Sequence, residues 1–262
     1  MPGDASRRWS GTMPEAYERW LVPPVFRPFA VDLAARVAER APVRILELAA
    51  GTGVLTAELG AADVVATDFN LAMVALGRRR APGAAWGQAD AAALPFAGGR
   101  FDLVACQFGV MFLPDRVAAY AEARRVLAPG GTLLLTTWGT LASHGFQAAV
   151  VDALEQLYPG DAPTFLATVP HACADPAPVV ADLAAAGFRC RAATVTLEGT
   201  APSAGGVAAG FCRGTPLRAE LEARGDLDAA TAAVAAEVER RLGSGPVRVR
   251  MTANVFEATP DR

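Results

Sequence analysis

The sequence predicts an α/β fold in which helices flank a mixed sheet of seven strands. A short apolar run at 43–48 ends in a turn of small residues and leads into a segment at 54–59 that predicts an amphipathic helix. This is the strand, turn and helix of a parallel sheet. Apolar runs then alternate with helical patterns as far as residue 138. Two further strand-like runs follow at 188–197 and 248–258. With 262 residues, 52% of them hydrophobic, the chain is long enough to bury the core of such a sheet.

Residues 1–42, ahead of the first strand, predict a helical lid. Helical patterns cover 14–20 and 27–41, and the second pattern has one continuous apolar face. The first pattern carries Tyr17 and Trp20. Their rings would either cover a bound ligand or pack on the edge of the sheet.

The turn after the first strand indicates which nucleotide the sheet would bind. Gly51 and Gly53 leave bare backbone for a ligand, but Thr56 stands where a phosphate-binding G-x-G-x-x-G turn has its third glycine. Glu47 closes the strand, and its carboxylate would repel a diphosphate, which helix N-termini otherwise attract. S-adenosylmethionine (SAM) carries a sulfonium and an ammonium group instead, so an acid beside the turn favours it. The pattern therefore predicts SAM rather than NAD or FAD.

This segment resembles the first motif of the class I SAM-dependent methyltransferases. That motif is an acidic residue, a small residue and G-x-G, matched here by Glu47, Ala49, Gly51 and Gly53, with alanine where the family most often has glycine. The resemblance implies a Rossmann-like sheet, SAM as the cofactor and Glu47 as the partner of its ammonium group. It also implies that the N-terminal helix folds over SAM, with Tyr17 near the methionine moiety.

Later motifs fall at the spacing that this family has. The second strand, 62–67, is closed by Asp68, an acid about 20 residues after the glycine turn that would accept hydrogen bonds from ribose hydroxyls. Phe69, Leu71 and Met73 follow and would sandwich an adenine ring.

The third and fourth strands bring further candidates to the same edge of the sheet. The resemblance implies that Asp90 accepts from the adenine amino group and that the Ala91 N–H meets a ring nitrogen. Gln107 ends the strand 101–107, and the chain there turns toward the methyl group. A Pro-Gly-Gly turn at 129–131 then starts a fifth strand.

The methyltransferase core would comprise 43–198 and 246–262, with 199–245 inserted between the last two strands. In the family these strands are often joined by a short turn, whereas this insertion is far longer than a hairpin loop needs. Its helical patterns predict a substrate cap, and a decoration of the sheet edge or a homodimer contact is the alternative. The patterns cover 203–211, 216–224 and 228–242.

The two histidines are the candidate catalytic residues. Imidazole is the side chain best suited to general-base chemistry near neutral pH, and the chain contains only His144 and His171. His171 lies in a Pro-His-x-x-x-Asp stretch that resembles small-molecule members of the family. Each would act as a base or bind the substrate; alternatively, His144 starts a helix in solvent and His171 fixes a loop.

Composition argues against several other classes of protein. The net charge is −3, and no basic run is interleaved with aromatic residues apart from the arginines at 78–80, so nucleic acid is not the expected substrate. The sequence contains no run of 18 uncharged apolar residues, so no membrane span is expected. Met1–Arg8 has no apolar stretch after it, so we expect a cytoplasmic protein. The spacing of the four cysteines suits no zinc site, and no metal is expected.

The function predicted from these observations is transfer of a methyl group from SAM to oxygen or carbon of a small organic molecule. The segments 106–112 and 213–218 resemble bacterial enzymes of ubiquinone and menaquinone biosynthesis, and similar folds serve natural-product pathways. Two alternatives stay open. One is a protein of this fold that binds SAM structurally and catalyses another reaction, such as a cyclisation. The other is an NAD(P)-dependent oxidoreductase.

Overall fold

The structure is a computed structural model that describes residues 11–60 and 63–261. Three features of the sequence analysis lie partly or wholly outside these residues: the polar start Met1–Arg8, the beginning of the lid 1–42, and Ala62 at the start of the second strand. The strands are β1 Arg44–Glu47, β2 Asp63–Asp68, β3 Ala85–Gln88, β4 Phe101–Gln107, β5 Leu127–Trp138, β6 Phe188–Ala201 and β7 Val247–Pro260.

These strands form one mixed sheet of seven, in the order β3-β2-β1-β4-β5-β7-β6. The first five are parallel, and β7 runs antiparallel between β5 and β6. The predicted fold is therefore confirmed. After β1 the chain moves outward to β2 and β3, and it returns to the other side of β1 with β4. This reversal leaves a crevice above the carboxyl ends of β1 and β4, where open α/β sheets bind their ligands.

Helices cover both faces of the centre of the sheet, and the central strands β1 and β4 are accordingly apolar on both sides. Ile45 of β1 and Leu103 of β4 face one buried cluster, whereas Leu46 and Val104 face the other. The helices are α1 Met13–Ala16, α2 Arg27–Ala38, α3 Leu71–Arg80, α4 Arg116–Val126, α5 Gly145–Leu157, α6 Phe165–Thr168, α7 Pro176–Ala185, α8 Ala204–Gly214, α9 Leu217–Glu222 and α10 Leu227–Leu242.

The N-terminal helices are more continuous than the sequence indicated. Between α1 and α2 the chain forms a π-helical segment, Tyr17–Phe26, which contains Pro23 and Pro24. Proline lacks the N–H that an α-helical ladder requires and clashes with the carbonyl one turn earlier. A wider helix accommodates both prolines, so the helix does not break there. This π segment contacts α8 and β6 and covers the carboxyl edge of the sheet.

The predicted amphipathic helix over 54–59 is wrong. The chain forms turns at 51–55 and only a short 3-10 helix at Thr56–Glu58. Gly60 follows with a φ of +72°, which ends the helical stretch. Three residues cannot offset the cost of helix nucleation, so the segment stays a compact turn held by side chains.

The insertion after β6 is helical, as its pattern predicted. Helices α8, α9 and α10 correspond to the three predicted helical patterns, and their ends differ from the predicted ends by a few residues. Helix α10 packs against α8 and α5. Strand β6 extends to Ala201, so Gly199, the first residue of the predicted insertion, lies within the sheet. A side chain at Gly199 would collide with the carbonyl oxygen of Pro24, and this glycine therefore lets the π segment pack onto β6.

Candidate functional site

A cavity of about 430 Å³ opens at the carboxyl ends of β1, β2, β4 and β5, within the range typical of small-molecule sites. The π segment and α8 contribute residues from the opposite side. Most of the predicted site residues line it: Tyr17, Glu47, Ala49, Gly51, Asp68, Phe69, Met73, Asp90, Ala91, Gln107 and His144. The predicted contacts Gly53 and His171 are not among the lining residues.

Glu47 is a buried carboxylate at the end of β1. It is 1% exposed, and its Oε2 accepts a hydrogen bond of 2.6 Å from the Thr56 hydroxyl. Burial raises the pKa of Glu47 to about 8, although the Thr56 bond works in the opposite direction. Thr56, which replaces the third glycine of a phosphate-binding turn, thus orients the acid. A ligand cation beside Glu47 would stabilise its charged form.

Asp68 holds the glycine turn in place. One carboxylate oxygen accepts from the Gly51 N–H and the other from the Asn70 N–H, each at 2.8 Å. Burial raises the pKa of Asp68, and these two backbone bonds oppose the rise. Asn70 in turn caps α3 through its side chain. The acid therefore joins β1, β2 and α3, and each of its oxygens keeps a lone pair for a ligand hydroxyl.

The turn itself contains two strained or crowded positions. Ala49 adopts a φ of +50°, a region where a β-carbon is unfavourable. Its methyl group fits because Gly109 lies opposite, where a Cβ would stand 2.5 Å from it. Gly53 has a φ of +83°, and a Cβ there would lie 2.9 Å from the Trp86 ring. Gly53 therefore allows close packing of the turn on Trp86.

The outer end of the cavity carries the candidate adenine contacts. Phe69 is 51% exposed although it is a large apolar side chain, whereas Met73 is buried. Asp90 accepts from the Ala92 N–H at 2.9 Å and so shapes the loop that presents Ala91. An exposed aromatic ring beside a cavity of this kind is suited to stacking on a flat base.

Tyr17 and Gln107 connect the lid to the sheet. The Tyr17 side chain lines the cavity, and burial followed by the charge of Asp68 raises its pKa. The Gln107 amide donates to the carbonyl oxygen of Phe26, at the end of the π segment, at 3.0 Å. Its Oε1 is buried and has no hydrogen-bond partner among the described residues, so it is available to a bound ligand.

The inner half of the cavity is a wall of aromatic rings that sequence reasoning missed. Phe108 and Trp138 are stacked, with centroids 3.6 Å apart and planes 6° from parallel. Phe26 meets both rings edge-on, and Phe211 of α8 closes the far side. No spacing in the sequence joins these four residues, because they come from the lid, two strand ends and the insertion.

The two histidines lie next to each other beside this wall. His144 is fully buried and caps α5, where its Nδ1 accepts from the Gln147 N–H at 3.3 Å. The Nδ1 of His171 lies 2.6 Å from the Gly139 carbonyl oxygen, and the ring centroids are 6.0 Å apart. Burial and the neighbouring His171 lower the pKa of His144 to about 3, and burial lowers that of His171. His144 does start a helix, but not in solvent.

Comparison with known proteins places this site in a family. The model of the methyltransferase domain matches residues 46–135. The chain is 43% identical, over 118 residues, to the demethylmenaquinone methyltransferase of Beutenbergia cavernae, which covers 44% of the chain and 48% of that protein. It is 35% identical to the enzyme of the same name from Mycolicibacterium vanbaalenii over 156 residues, covering 55% of the chain and 68% of that protein. The chain belongs to the class I SAM-dependent methyltransferases.

The chain spans about half the length of several of the curated methyltransferases that it matches. Its fold is also shared by distant structures, among them the [4+2]-cyclase SpnF, with a TM-score of 0.57 and 18% identity, covering 100% of this chain and 98% of that one. Likeness at that level of identity concerns the fold alone. The family assignment favours SAM over the NAD(P) alternative, because the members of this class use SAM as their methyl donor.

The charge of the cavity is one-sided for a methyltransferase site. Its ionisable carboxyl groups are those of Glu47, Asp68 and Asp90, and none of the lining residues in 11–60 and 63–261 is an arginine. The chain contains no lysine at all. Over the same ranges, no helix is long and apolar enough to cross a membrane, and no group of three acidic, histidine or cysteine side chains could hold a metal.

Proposed function

We propose that this chain transfers a methyl group from SAM to oxygen or carbon of a small, uncharged molecule that contains a planar ring. The observation that carries the proposal is one continuous cavity with an acidic end and an aromatic end. The acidic end contains Glu47 and Asp68, and the aromatic end is formed around Trp138 and Phe211. A cationic cofactor and an apolar acceptor would meet between the two.

The acidic end fits the parts of SAM that carry charge and hydroxyl groups. Glu47 would pair with the ammonium group, because a buried carboxylate whose pKa is raised to about 8 gains most from a neighbouring cation. Asp68 would accept from the ribose hydroxyls while it holds Gly51. Phe69 and Met73 would enclose the adenine, and Asp90 with Ala91 would meet its edge. Bound in this way, SAM supplies an electrophilic methyl group on a good leaving group.

The aromatic end supports an uncharged acceptor. A phosphate or carboxylate would require a cation, since an unpaired buried anion is strongly disfavoured, and the described lining contains no arginine. Stacked and edge-on rings instead suit a planar apolar molecule. The relatives named demethylmenaquinone methyltransferases support an acceptor of quinone biosynthesis, and a ring from a natural-product pathway fits the same surface.

The protein's contribution to the reaction would be orientation and exclusion of water. Methyl transfer is an in-line displacement, and holding the reacting atoms in line can supply several kcal/mol, about 7–11 in favourable model systems. The π segment covers the cavity from the side opposite the strand ends, and α8 covers it there with Phe211. We therefore propose that the described part of 1–42 acts as a lid and that 199–245 acts as a substrate cap. A cytoplasmic location and a homodimer remain proposals that fit this function without being required by it.

Calorimetry with SAM and S-adenosylhomocysteine tests the cofactor first. We expect both to bind with micromolar Kd, and we expect NAD(P)H not to bind. Turnover is then tested with SAM carrying a labelled methyl group and with reduced naphthoquinones as acceptors. Binding of SAM without methyl transfer to any apolar hydroxylated ring would contradict the methyl-transfer proposal and favour a non-methylating reaction. Thermal stabilisation of the protein by NAD(P) but not by SAM would contradict the assignment of SAM as the cofactor.

A further inference from the structure

The imidazole pair beside the aromatic wall contains two buried nitrogen atoms without partners. The Nε2 atoms of His144 and His171 are both buried, and neither has a hydrogen bond to any of the described residues. Buried polar atoms are nearly always paired with protein groups or ordered water, so a buried atom without a protein partner beside a cavity can bond a ligand group there. His144 lines the cavity, and Pro170, which precedes His171, lines it as well.

The helix N-cap determines the tautomer of His144. The Gln147 N–H donates to Nδ1 of His144, so Nδ1 must carry a lone pair. A neutral imidazole has one N–H, which then sits on Nε2. Ring neighbours Trp138 and Phe211, together with Gln147, are uncharged, and burial keeps the ring neutral at pH 7. His144 therefore offers a hydrogen-bond donor to the cavity and cannot serve as a base without breaking its cap.

The opposite tautomer is determined for His171. A carbonyl oxygen only accepts hydrogen bonds, so the contact of 2.6 Å between Nδ1 and the Gly139 oxygen places the proton on Nδ1. The Nε2 atom of His171 then carries a lone pair. Unlike His144, the His171 residue is partly exposed, although its Nε2 atom is buried.

We propose that the two imidazoles form a donor–acceptor pair for one hydroxyl group of the methyl acceptor, with His144 donating to its oxygen and His171 taking its proton. The acceptor is accordingly a phenol, enol or hydroquinone. The inference rests on the proposed methyl transfer for its chemistry, but the tautomers themselves do not depend on it.

The proton and electron balance of the step is complete with the groups named. The O–H bond of the acceptor breaks, and its proton forms an N–H bond at His171 Nε2. The oxygen, or a ring carbon conjugated with it, uses the released electron pair to bond to the methyl carbon. On the carbon route the first product is the keto form, and transfer of the hydrogen of that carbon to the oxygen restores the aromatic hydroxyl. The carbon–sulfur bond breaks, its electrons stay on sulfur, and S-adenosylhomocysteine results. The His144 N–H stabilises the negative charge on oxygen in the meantime.

Nuclear magnetic resonance of the ¹⁵N-histidine-labelled chain tests the pair without any substrate. Only two imidazoles contribute, and His171→Asn assigns them by removing one. Long-range proton–nitrogen correlations distinguish the tautomers. We expect His144 with its proton on Nε2, His171 with its proton on Nδ1, and no protonation of His144 down to about pH 4, since its pKa is about 3. The same tautomer for both rings, or a charged His144 at pH 7, would overturn the proposal.

Matched variants of His144 separate hydrogen bonding to the acceptor from helix capping. In His144→Asn, the side-chain oxygen can accept from Gln147 and keep the cap, but the donor at the Nε2 position is lost. In His144→Gln, the longer side chain keeps an N–H donor near the Nε2 position but loses the bond that caps the helix. With naphthalene-1,4-diol and labelled SAM, we expect kcat to fall at least tenfold in His144→Asn and to fall less in His144→Gln. Loss of one oxyanion donor can lower kcat by about a hundred- to a thousandfold. Unchanged kcat in His144→Asn would show that His144 has only a structural role.

The variant His171→Asn tests the acceptor side of the pair. Its amide can still donate to Gly139, whereas the lone pair is missing. At saturating SAM, we expect wild-type kcat/KM for the acceptor to rise with pH through a lowered histidine pKa and His171→Asn to lose this limb, with SAM affinity by calorimetry equal to that of the wild type at each pH. An unaltered pH profile would remove His171 from the step. If the wild type binds SAM but methylates no hydroxylated ring, the proposed acceptor class is wrong, while the resonance experiment still decides the tautomers.

Discussion

The cofactor end and the acceptor end of the cavity are built in different ways. Apart from Tyr17 of the lid, the cofactor end comes from one stretch of the chain, 47–107, in which strand ends, a glycine turn and a helix cap are joined by short hydrogen bonds. The acceptor end is assembled from Phe26, Trp138, His144 and Phe211, which lie in four separate segments. The first end is specified by local motif, and the second only by tertiary packing. Substitutions should therefore affect one binding event and leave the other unchanged.

Asp68→Ala should have the largest effect, and it acts on the cofactor end alone. The change removes the partner of the Gly51 and Asn70 N–H groups as well as the candidate ribose acceptor. Leaving such groups unpaired costs about 1–3 kcal/mol each, so we expect SAM affinity by calorimetry to fall by about ten- to a hundredfold or more. Asp63→Ala, at the exposed start of the same strand, is the control. Equal losses in both variants would contradict the assignment of the β2 carboxyl end.

Glu47→Gln should have the next largest effect and a distinctive pH dependence. Glutamine keeps a hydrogen bond to Thr56 but has no charge, so we expect weaker binding of SAM. Burial raises the pKa of Glu47 from 4.5 to about 8. Between pH 4.5 and about 8, Glu47 is therefore mostly protonated in the folded chain and mostly ionised in the unfolded chain. The ligand-free wild type should therefore lose stability as pH rises from about 4.5 to about 8, relative to Glu47→Gln.

The affinity for SAM should change in the opposite direction over the same pH range. The ammonium group binds the charged carboxylate, so wild-type Kd should fall as pH rises toward 8, and the Kd of Glu47→Gln should stay constant. Calorimetric titrations at a series of pH values measure this difference. Parallel curves for the two proteins would show that the ammonium group does not lie beside Glu47.

How much the sequence could predict follows the same division. The sheet and the residues at its strand ends could be read from local patterns, because Glu47, Asp68 and Gln107 each terminate an apolar run. The role of Thr56 could have been found too, since it faces Glu47 across one turn. Phe26, Trp138 and Phe211 could not be found, because only the π-helical path of the lid and the packing of α8 bring them together. The tautomers of the histidines likewise depend on backbone groups that no motif names.

Phe211→Leu should affect the acceptor end alone, and by less. Losing part of a buried aromatic surface costs on the order of 1 kcal/mol, so we expect KM for the acceptor to rise several-fold while SAM affinity is unchanged. Phe101→Leu is the matched control, since Phe101 is buried against Phe96 and is absent from the cavity lining. It should lower stability by a similar amount and leave KM unchanged. Weaker SAM binding in Phe211→Leu would show that the two ends are coupled.

Ala49→Gly should have the smallest effect, and it sharpens the account of the cofactor turn. Ala49 has a φ of +50°, a conformation that costs a residue with a β-carbon about 1–2 kcal/mol. Glycine removes that cost, but it also makes the unfolded chain more flexible, which lowers the free energy of unfolding by about 0.4–1 kcal/mol. We expect a net stabilisation below about 1 kcal/mol, measured by thermal unfolding. Ala50→Gly, the neighbouring residue, should destabilise instead. If both variants lower the stability equally, the positive φ of Ala49 does not strain the turn.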